Sequence, residues 1–435
     1  MRRTQRSILL FWGPLAATWL MMATEGPFLA AIIARLADPK FNLAAHGVAF
    51  AFAILIEAPV IMIMSASTAL VEDRRSYLRL RNFSNALNLG ATVLLLVFLV
   101  PSVYDGVMLG LIGLPVEVAE LTHGALWLFL PWPAAIGYRR FLHGVLIRSG
   151  RTRLVAFGTG IRLTAMATGA FVGAAVLEFP GAWVGALALA TGVCAEAVTA
   201  RWMARETVRE ILAVEPVEGA TDDEGLSYGA IARFYYPLAL TSLIGLTVQP
   251  MLTFFMGRSM APIESLAVFP VVHALSFIFR SFGLAFQDAA IALMGKKHEH
   301  QPELSRFALG LGLATSAGLG VVAFTPMAGV WFETISGLTP DLTAYALLPA
   351  RILFPFPALA VLLSFQRAIL VKAHRTRPIT VATGIEVGVV ALLFTTLGWG
   401  LDLVGVTAAF TAFLGGRLAG NLYLIPKCAQ VVRGS

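Results

Sequence analysis

Twelve apolar runs, each about long enough to cross a bilayer, leave this chain few ways to fold. They cover roughly residues 8–36, 43–70, 84–103, 121–147, 154–178, 181–208, 230–256, 263–292, 305–328, 343–371, 379–398 and 403–426. A spanning helix needs ~20 mostly apolar residues. In hydrocarbon only helices and closed barrels satisfy their own backbone donors and acceptors, and runs of this length are helical runs. The expected fold class is an all-α polytopic membrane protein with twelve transmembrane helices. Composition agrees: 13% of residues are charged, about half of the ~25% usual in soluble domains.

The net charge of +7 raises nucleic acid as a partner, but the distribution of charge argues against it. Basic residues gather at the ends of alternate apolar runs. Arg74, Arg75, Arg79 and Arg81, then Arg148, Arg151 and Arg153, then Arg201, Arg205 and Arg209 fall on one side, with Lys372, Arg375, Arg377 and Lys427. The loop 104–120 on the other side carries Asp105, Glu117 and Glu120 and no Lys or Arg. By the positive-inside rule both termini are cytoplasmic, in an inner (cytoplasmic) membrane. The first run reads as a retained helix rather than a cleaved signal, having no convincing small-residue cleavage site. Cys194 and Cys428 are the only cysteines, so no disulfide and no metal site are expected. There is no phosphate-binding glycine loop, no HExxH and no carboxylate pair at catalytic spacing, which excludes the common enzyme classes. The glycine-rich Leu309–Gly320 lies inside an apolar run and reads as helix-packing material.

The chain also repeats itself. Slid along itself until Phe11 meets Phe234, it also matches Pro14, Leu15, Ala16, Thr18 and Leu20 with Pro237, Leu238, Ala239, Thr241 and Leu243. In the same register Thr24, Pro27, Leu29, Arg35 and Pro39 match Thr247, Pro250, Leu252, Arg258 and Pro262. Further along, the register steps by a single position. It then aligns Pro131 and Pro133 with Pro355 and Pro357, and Arg151-Thr152-Arg153 with Arg375-Thr376-Arg377. The halves run 1–209 and 229–435, joined by a cytoplasmic linker, 210–228, with six acids and no Lys or Arg. Six spans per copy is an even number, so both halves enter the membrane the same way round. They are parallel repeats about an axis along the membrane normal, with a cleft between them. Pro27 and Pro250 recur at equal places. Each removes a helix hydrogen bond, which fits a hinge.

An ionisable group at mid-bilayer costs at least ~2.5 kcal/mol and should face the bundle interior. Glu25 lies beside Pro27 in the first span, and its repeat counterpart is Val248, so the acid belongs to one half only. It is the candidate for a coupling proton or Na⁺. Arg139 and Arg140 in the fourth span are matched by Leu363 and Ser364. An unmatched basic pair suits an anion, which Arg holds through a planar fork. Glu57 and Arg280 fall at equivalent positions, as do Arg162 and Glu386, and opposite charges at such places could pair across the axis. A structural pair and a functional role explain Arg162 and Glu386 equally well, while Glu57 and Arg280 are read as functional. Gln249, His273 and Glu57 are expected to line the cleft, with Arg139, Arg140 and Arg280 attracting the anion. Arg351, Arg367, Arg417 and Asp288 lie near span ends and are expected to snorkel.

Proline-bent first and seventh helices in a six-plus-six repeat resemble the superfamily of multidrug-and-toxin extrusion (MATE) transporters and lipid-linked oligosaccharide flippases. Within it the chain is most similar to the progressive ankylosis (ANK) family, through Phe234–Leu240, His46–Phe52 followed by Pro59, and Pro349–Pro357. The resemblance implies a V-shaped pair of halves, alternating access and export of small anions resembling citrate, pyrophosphate or nucleotides. Glu25 resembles that family's acid near the first-span proline, whereas Glu57 departs from its pattern. The resulting expectation is a secondary active transporter, not an enzyme, that exports a small anion. It has no cofactor beyond a coupling H⁺ or Na⁺, and works as a monomer in the bilayer. The alternatives are an H⁺- or Na⁺-coupled multidrug or cation extruder and a lipid-linked oligosaccharide flippase.

Overall fold

The computed structural model describes residues 4–213, 227–295, 299–373, 375 and 377–433. Most of the acidic linker, 214–226, lies outside the described residues. Among the described residues the structure is helical throughout, apart from one isolated bridge between Met260 and Val404. Among the described residues eight helices are long and apolar enough to cross a membrane, and ten if each of two bent pairs counts as one span. The bent pairs are Arg74–Phe98 with Pro101–Ile112, at 77°, and Pro340–Ile352 with Phe356–Lys372, at 46°. The other two runs of the twelve also fold as helices, with a physical reason for standing apart. The run 121–147 divides into Val116–Leu128 and Trp132–Arg148, each too short to span alone. Gly405–Arg433 is long, but Arg417 lowers its apolarity.

The repeat is written into the backbone as well as the sequence. Left-handed backbone is costly for any residue with a Cβ. It nevertheless recurs at Asp38 and Ala261 (φ 47° and 51°), which stand in the same register as Pro27 and Pro250. It recurs again at Glu178 and Asp402 (50° and 52°) and at Gly113 and Gly337 (77° and 75°), both in the register of the matched Arg-Thr-Arg triplets. The π-helical turns Gly106–Ile112 and Val172–Val176 reappear as Val330–Ile335 and Thr395–Gly400. Irregular backbone that returns in step at every one of these places requires the same chain path twice.

The shared prolines interrupt helices at the same place. Gln5–Ala23 gives way to Glu25–Ile33 at Thr24, and Tyr228–Leu246 to Val248–Gly257 at Thr247. Each break falls just ahead of Pro27 or Pro250, because proline has no N–H for the carbonyl one turn back. The threonine hydroxyls turn back into their own helices, Thr24 onto the Met21 carbonyl and Thr247 onto that of Leu243, both at 2.7 Å.

Packing divides the chain differently from the repeat. One compact unit comprises Met1–Gly47 with Met251–Ser435, and the other Val48–Pro250. Gln5–Ala23 thus packs on Pro262–Leu293 rather than within its own sequence half. There the Trp12 indole donates to the Phe282 carbonyl at 3.2 Å, beside a core of Ile8, Phe286, Leu304 and Ile369. Tyr228–Leu246 likewise joins the other unit, where Ile231 and Tyr235 pack with Tyr77, Phe141 and Leu142. At the rim of that unit Asp73 caps Arg74–Phe98 in a reciprocal box with Ser76. Burial works to raise the Asp73 pKa, but hydrogen bonds from the Ser76 amide and hydroxyl outweigh it and hold it below the usual carboxylate range.

Candidate functional site

Each unit encloses its own group of buried charges, and each is described within its own unit. In the unit Val48–Pro250 the second span breaks early. Pro39–Glu57 ends at Glu57, just before Pro59, and the chain turns through 58–62 before Ile63–Leu70. The freed Pro59 carbonyl accepts from the Tyr235 hydroxyl, and the Glu57 carboxylate accepts from the Trp132 indole N–H. Trp132 opens the helix Trp132–Arg148, one face of which carries Arg139, Arg140 and His143 inward. Arg139 donates to Glu196 at 2.5 Å, Arg162 stands 3.8 Å from the same carboxylate oxygen, and His143 lies 4.0 Å from the other. Glu196 has no solvent exposure. Arg140 lies within the fields of Glu57 and Arg162. Among the described residues three guanidiniums therefore lie within the fields of two carboxylates, Glu57 and Glu196.

In the other unit the equivalent helix, Pro262–Leu293, runs unbroken past Arg280. Arg280 reaches His273 Nε2 at 3.2 Å. A guanidinium only donates, so a hydrogen bond at this contact has His273 Nε2 as the acceptor. The rings of Phe356, Phe277 and Phe413 surround the Arg280 guanidinium at 5.2, 5.3 and 5.6 Å. Arg417 stands over the same Phe356 ring at 5.1 Å and binds Glu386 at 2.8 and 3.0 Å. Arg367 lies within the fields of Arg417 and Glu386. Among the described residues Glu386 pairs with Arg417 and is the carboxylate whose field reaches Arg280 and Arg367.

The equivalence of the two sites is residue by residue. Glu57 matches Arg280 in the register of the first proline pair. Trp132, which holds the acid through its indole N–H, matches Phe356, which holds the arginine against its ring face. His143 matches Arg367, and Arg162 matches Glu386, all in the register of the Arg-Thr-Arg triplets. Arg162 and Glu386 sit against matching glycines. A Cβ on Gly192 would come 3.0 Å from the Arg162 carbonyl, and one on Gly416 2.7 Å from that of Glu386. A reversed charge thus comes with a matching change of its aromatic partner.

Each unit supplies partners to its own charges. Arg162 and Glu386 each have a counter-ion inside their own unit, Glu196 and Arg417. Arg417 does not snorkel, because turning inward gives it Glu386. Glu57, Arg139 and Arg140 come together, and Arg280 and His273 come together in the other unit. Gln249 and Pro250 are half-buried and buried in the first of these units. Glu25 and Pro27 are half-buried in the second, with Glu25 as the first residue after the helix break. Trp132 and the phenylalanine cage were not singled out from sequence, although Trp132 and Phe356 each sit between the prolines of a matched PxP pair. Among the described residues, the Nε atoms of Arg139, Arg140, Arg280 and Arg367 are buried without a hydrogen-bond partner.

No family model matches the sequence, and no curated protein matches it. Solved structures do resemble the fold. An inward-facing multidrug resistance MATE family transporter of the MOP superfamily superposes with TM-score 0.67 at 15% identity, covering 96% of each chain. The lipid II flippase MurJ, inward closed, gives 0.68 at 13% identity over 98% of this chain and 90% of its own. A MOP superfamily transporter from Pyrococcus furiosus, described as having a binding pocket of reverse polarity that suggests a different function, gives 0.64 at 15% identity over 99% and 97%. At these identities the likeness establishes a MATE-like fold.

Proposed function

We propose that this protein is a secondary active transporter of a small anionic solute, working by alternating access in a cytoplasmic membrane with both termini inside. The observation that carries this reading is the charge imbalance around Arg280. Among the described residues Glu386, paired with Arg417, is the carboxylate whose field reaches Arg280 and Arg367 in a helical interior. Buried cations without sufficient counter-ions are costly, and a carboxylate or phosphate entering beside them would supply what Glu386 alone does not. Arginine also suits such groups because its donors form a planar fork. The MATE-like fold supports transport as the setting, and the reverse polarity described for the Pyrococcus furiosus neighbour is a precedent for altered charge on this fold. The short motifs shared with the progressive ankylosis family favour the same substrate class.

In this reading Arg280 is the anion-binding residue, and His273 positions it by accepting one of its N–H groups. Arg140, beside Glu57, provides a second cationic station, while Arg139 is committed to Glu196. Gln249 contributes a neutral polar group. Glu25, at the break before Pro27, carries the coupling H⁺ or Na⁺, and Pro27 and Pro250 act as hinges.

A second reading, coupled extrusion of an organic cation, draws support from Glu57, a buried acid beside an aromatic ring. Proteoliposomes containing the purified protein separate the two. Counterflow of citrate, pyrophosphate or nucleotide, abolished by Arg280→Gln, is the expected result. Uptake of organic cations alone would overturn the anion reading.

A further inference from the structure

The two copies of the Arg-Thr-Arg motif end in different surroundings, and the difference creates a site. Arg151, in the Val48–Pro250 unit, binds Glu206 at 2.9 Å and Glu210 at 2.7 Å. Its counterpart in the second copy is Arg375, which lines a pocket of about 390 Å³ with Arg377, Lys427 and Gln430. In the same register Gln430 replaces Glu206, the acid that neutralises the first copy, and Lys427 replaces Met203. The second copy has thus lost a carboxylate and gained a cation at matched positions. Among the described residues neither Arg375, Arg377 nor Lys427 forms an ion pair.

The rest of the pocket fits an anion carried by an apolar body. Leu370, Pro378, Val381 and Tyr423 complete its lining. Lys427 lies 5.8 Å from the centre of the Tyr423 ring, so its charge is held at the mouth rather than swung away. Arg377–Phe394 begins here, and the unpaired amides of a helix's first turn add positive potential. The pocket lies on the side where basic residues collect, which is the side of the anionic cytoplasmic leaflet. A free anion needs no apolar wall, whereas a lipid brings its glycerol and first methylenes with its phosphate.

We propose that this pocket binds the phosphate of an anionic phospholipid headgroup from the cytoplasmic leaflet. The site is separate from the Arg280 cluster and does not depend on the transport reading.

Native mass spectrometry of the full-length protein, titrated with phosphatidylglycerol or phosphatidylcholine, tests this. The wild type should retain phosphatidylglycerol in preference to phosphatidylcholine. Gln430→Glu, which restores the acid of the first copy, should weaken that preference about fivefold, as should each single Arg375→Gln, Arg377→Gln or Lys427→Gln change. Because Gln430 and the three basic residues line an exposed rim, these variants should keep the wild-type melting temperature in lipid-free detergent. Equal retention by wild type and Gln430→Glu would overturn the proposal. So would displacement of the lipid by inorganic phosphate at matching concentration, which would assign the pocket to a soluble anion.

Discussion

Glu57 and Arg280 stand at the same point of the repeated chain and do opposite things. Around Glu57 the second span breaks at Pro59, an indole N–H meets the acid, and the neighbouring Arg139 pairs with Glu196, an acid with no exposure. Around Arg280 the helix is continuous, three phenyl rings face the guanidinium, and among the described residues the one carboxylate whose field reaches it, Glu386, is paired with Arg417. Duplication supplied two equal scaffolds, and a few substitutions then gave them opposite polarity. The change had to be concerted. An indole N–H stabilises a carboxylate but offers nothing to a guanidinium along its donor direction, while a phenyl face does the reverse. The lesson is that function in this molecule resides in the departures from its own symmetry, and the symmetric features form the scaffold.

The contrast can be broken most severely at Glu196. Glu196→Ala strands Arg139 without its counter-ion and should destabilise the protein by about 3–5 kcal/mol, read as a lower unfolding midpoint in detergent. Replacing Arg139 and Glu196 together by Met and Leu should recover most of that loss, because the penalty comes from the uncompensated charge. Glu386→Ala should cost less, since its partner Arg417 keeps some exposure and ring contacts. A result in which Glu386→Ala exceeds Glu196→Ala would dissolve the distinction between an ion pair with a fully buried acid and one that keeps slight exposure.

Next in size are the matched glycines. Gly416→Ala forces a methyl to 2.7 Å from a backbone carbonyl, against 3.0 Å for Gly192→Ala. Both should destabilise by about 1–3 kcal/mol, with Gly416→Ala the larger, in the same unfolding assay. Pro27→Ala and Pro250→Ala restore a helix hydrogen bond, so thermal stability should hold or rise while transport turnover falls in both. Transport at wild-type rate in either variant would remove that proline from the hinge role. The smallest effect belongs to the exposed pair of Arg151 with Glu206 and Glu210. Arg151→Gln should change stability by no more than ~1 kcal/mol, and added salt should shrink it further.

Much of the scaffold could be read from sequence because it depends on periodic and repeated signals. Apolar run length located the helices, and Pro27 and Pro250 located their breaks to within a helical turn. The grouping of helices into units could not be read this way. Which unit receives Gln5–Ala23 depends on contacts such as Trp12 with Phe282, which lie in opposite halves of the sequence, and no local pattern encodes them. The charges were legible as charges, yet their partners were not. Helical spacing places Arg139 and His143 on one face, but nothing in the chain names Glu196 as the group across from it. Arg417 looked like a span-end arginine because depth was counted from apolarity, and an inward turn toward Glu386 leaves no mark there. The aromatic partners escaped notice because Trp and Phe are ordinary in apolar runs. Their significance emerges only when Trp132 and Phe356 are compared in one register.

The most direct test of the reversed-polarity account is anion transport by Arg280→Gln beside Glu57→Gln in the same proteoliposomes, with unfolding midpoints as the control for folding. A charge-assisted contact is worth ~1.5–3 kcal/mol, so Arg280→Gln should lower anion transport at least about tenfold. Glu57→Gln should leave that anion's transport within about twofold of wild type, since a neutral side chain in place of the acid removes no cation from the path. Full anion transport by a folded Arg280→Gln protein, or equal losses in the two variants, would contradict the assignment of opposite roles to these equivalent positions.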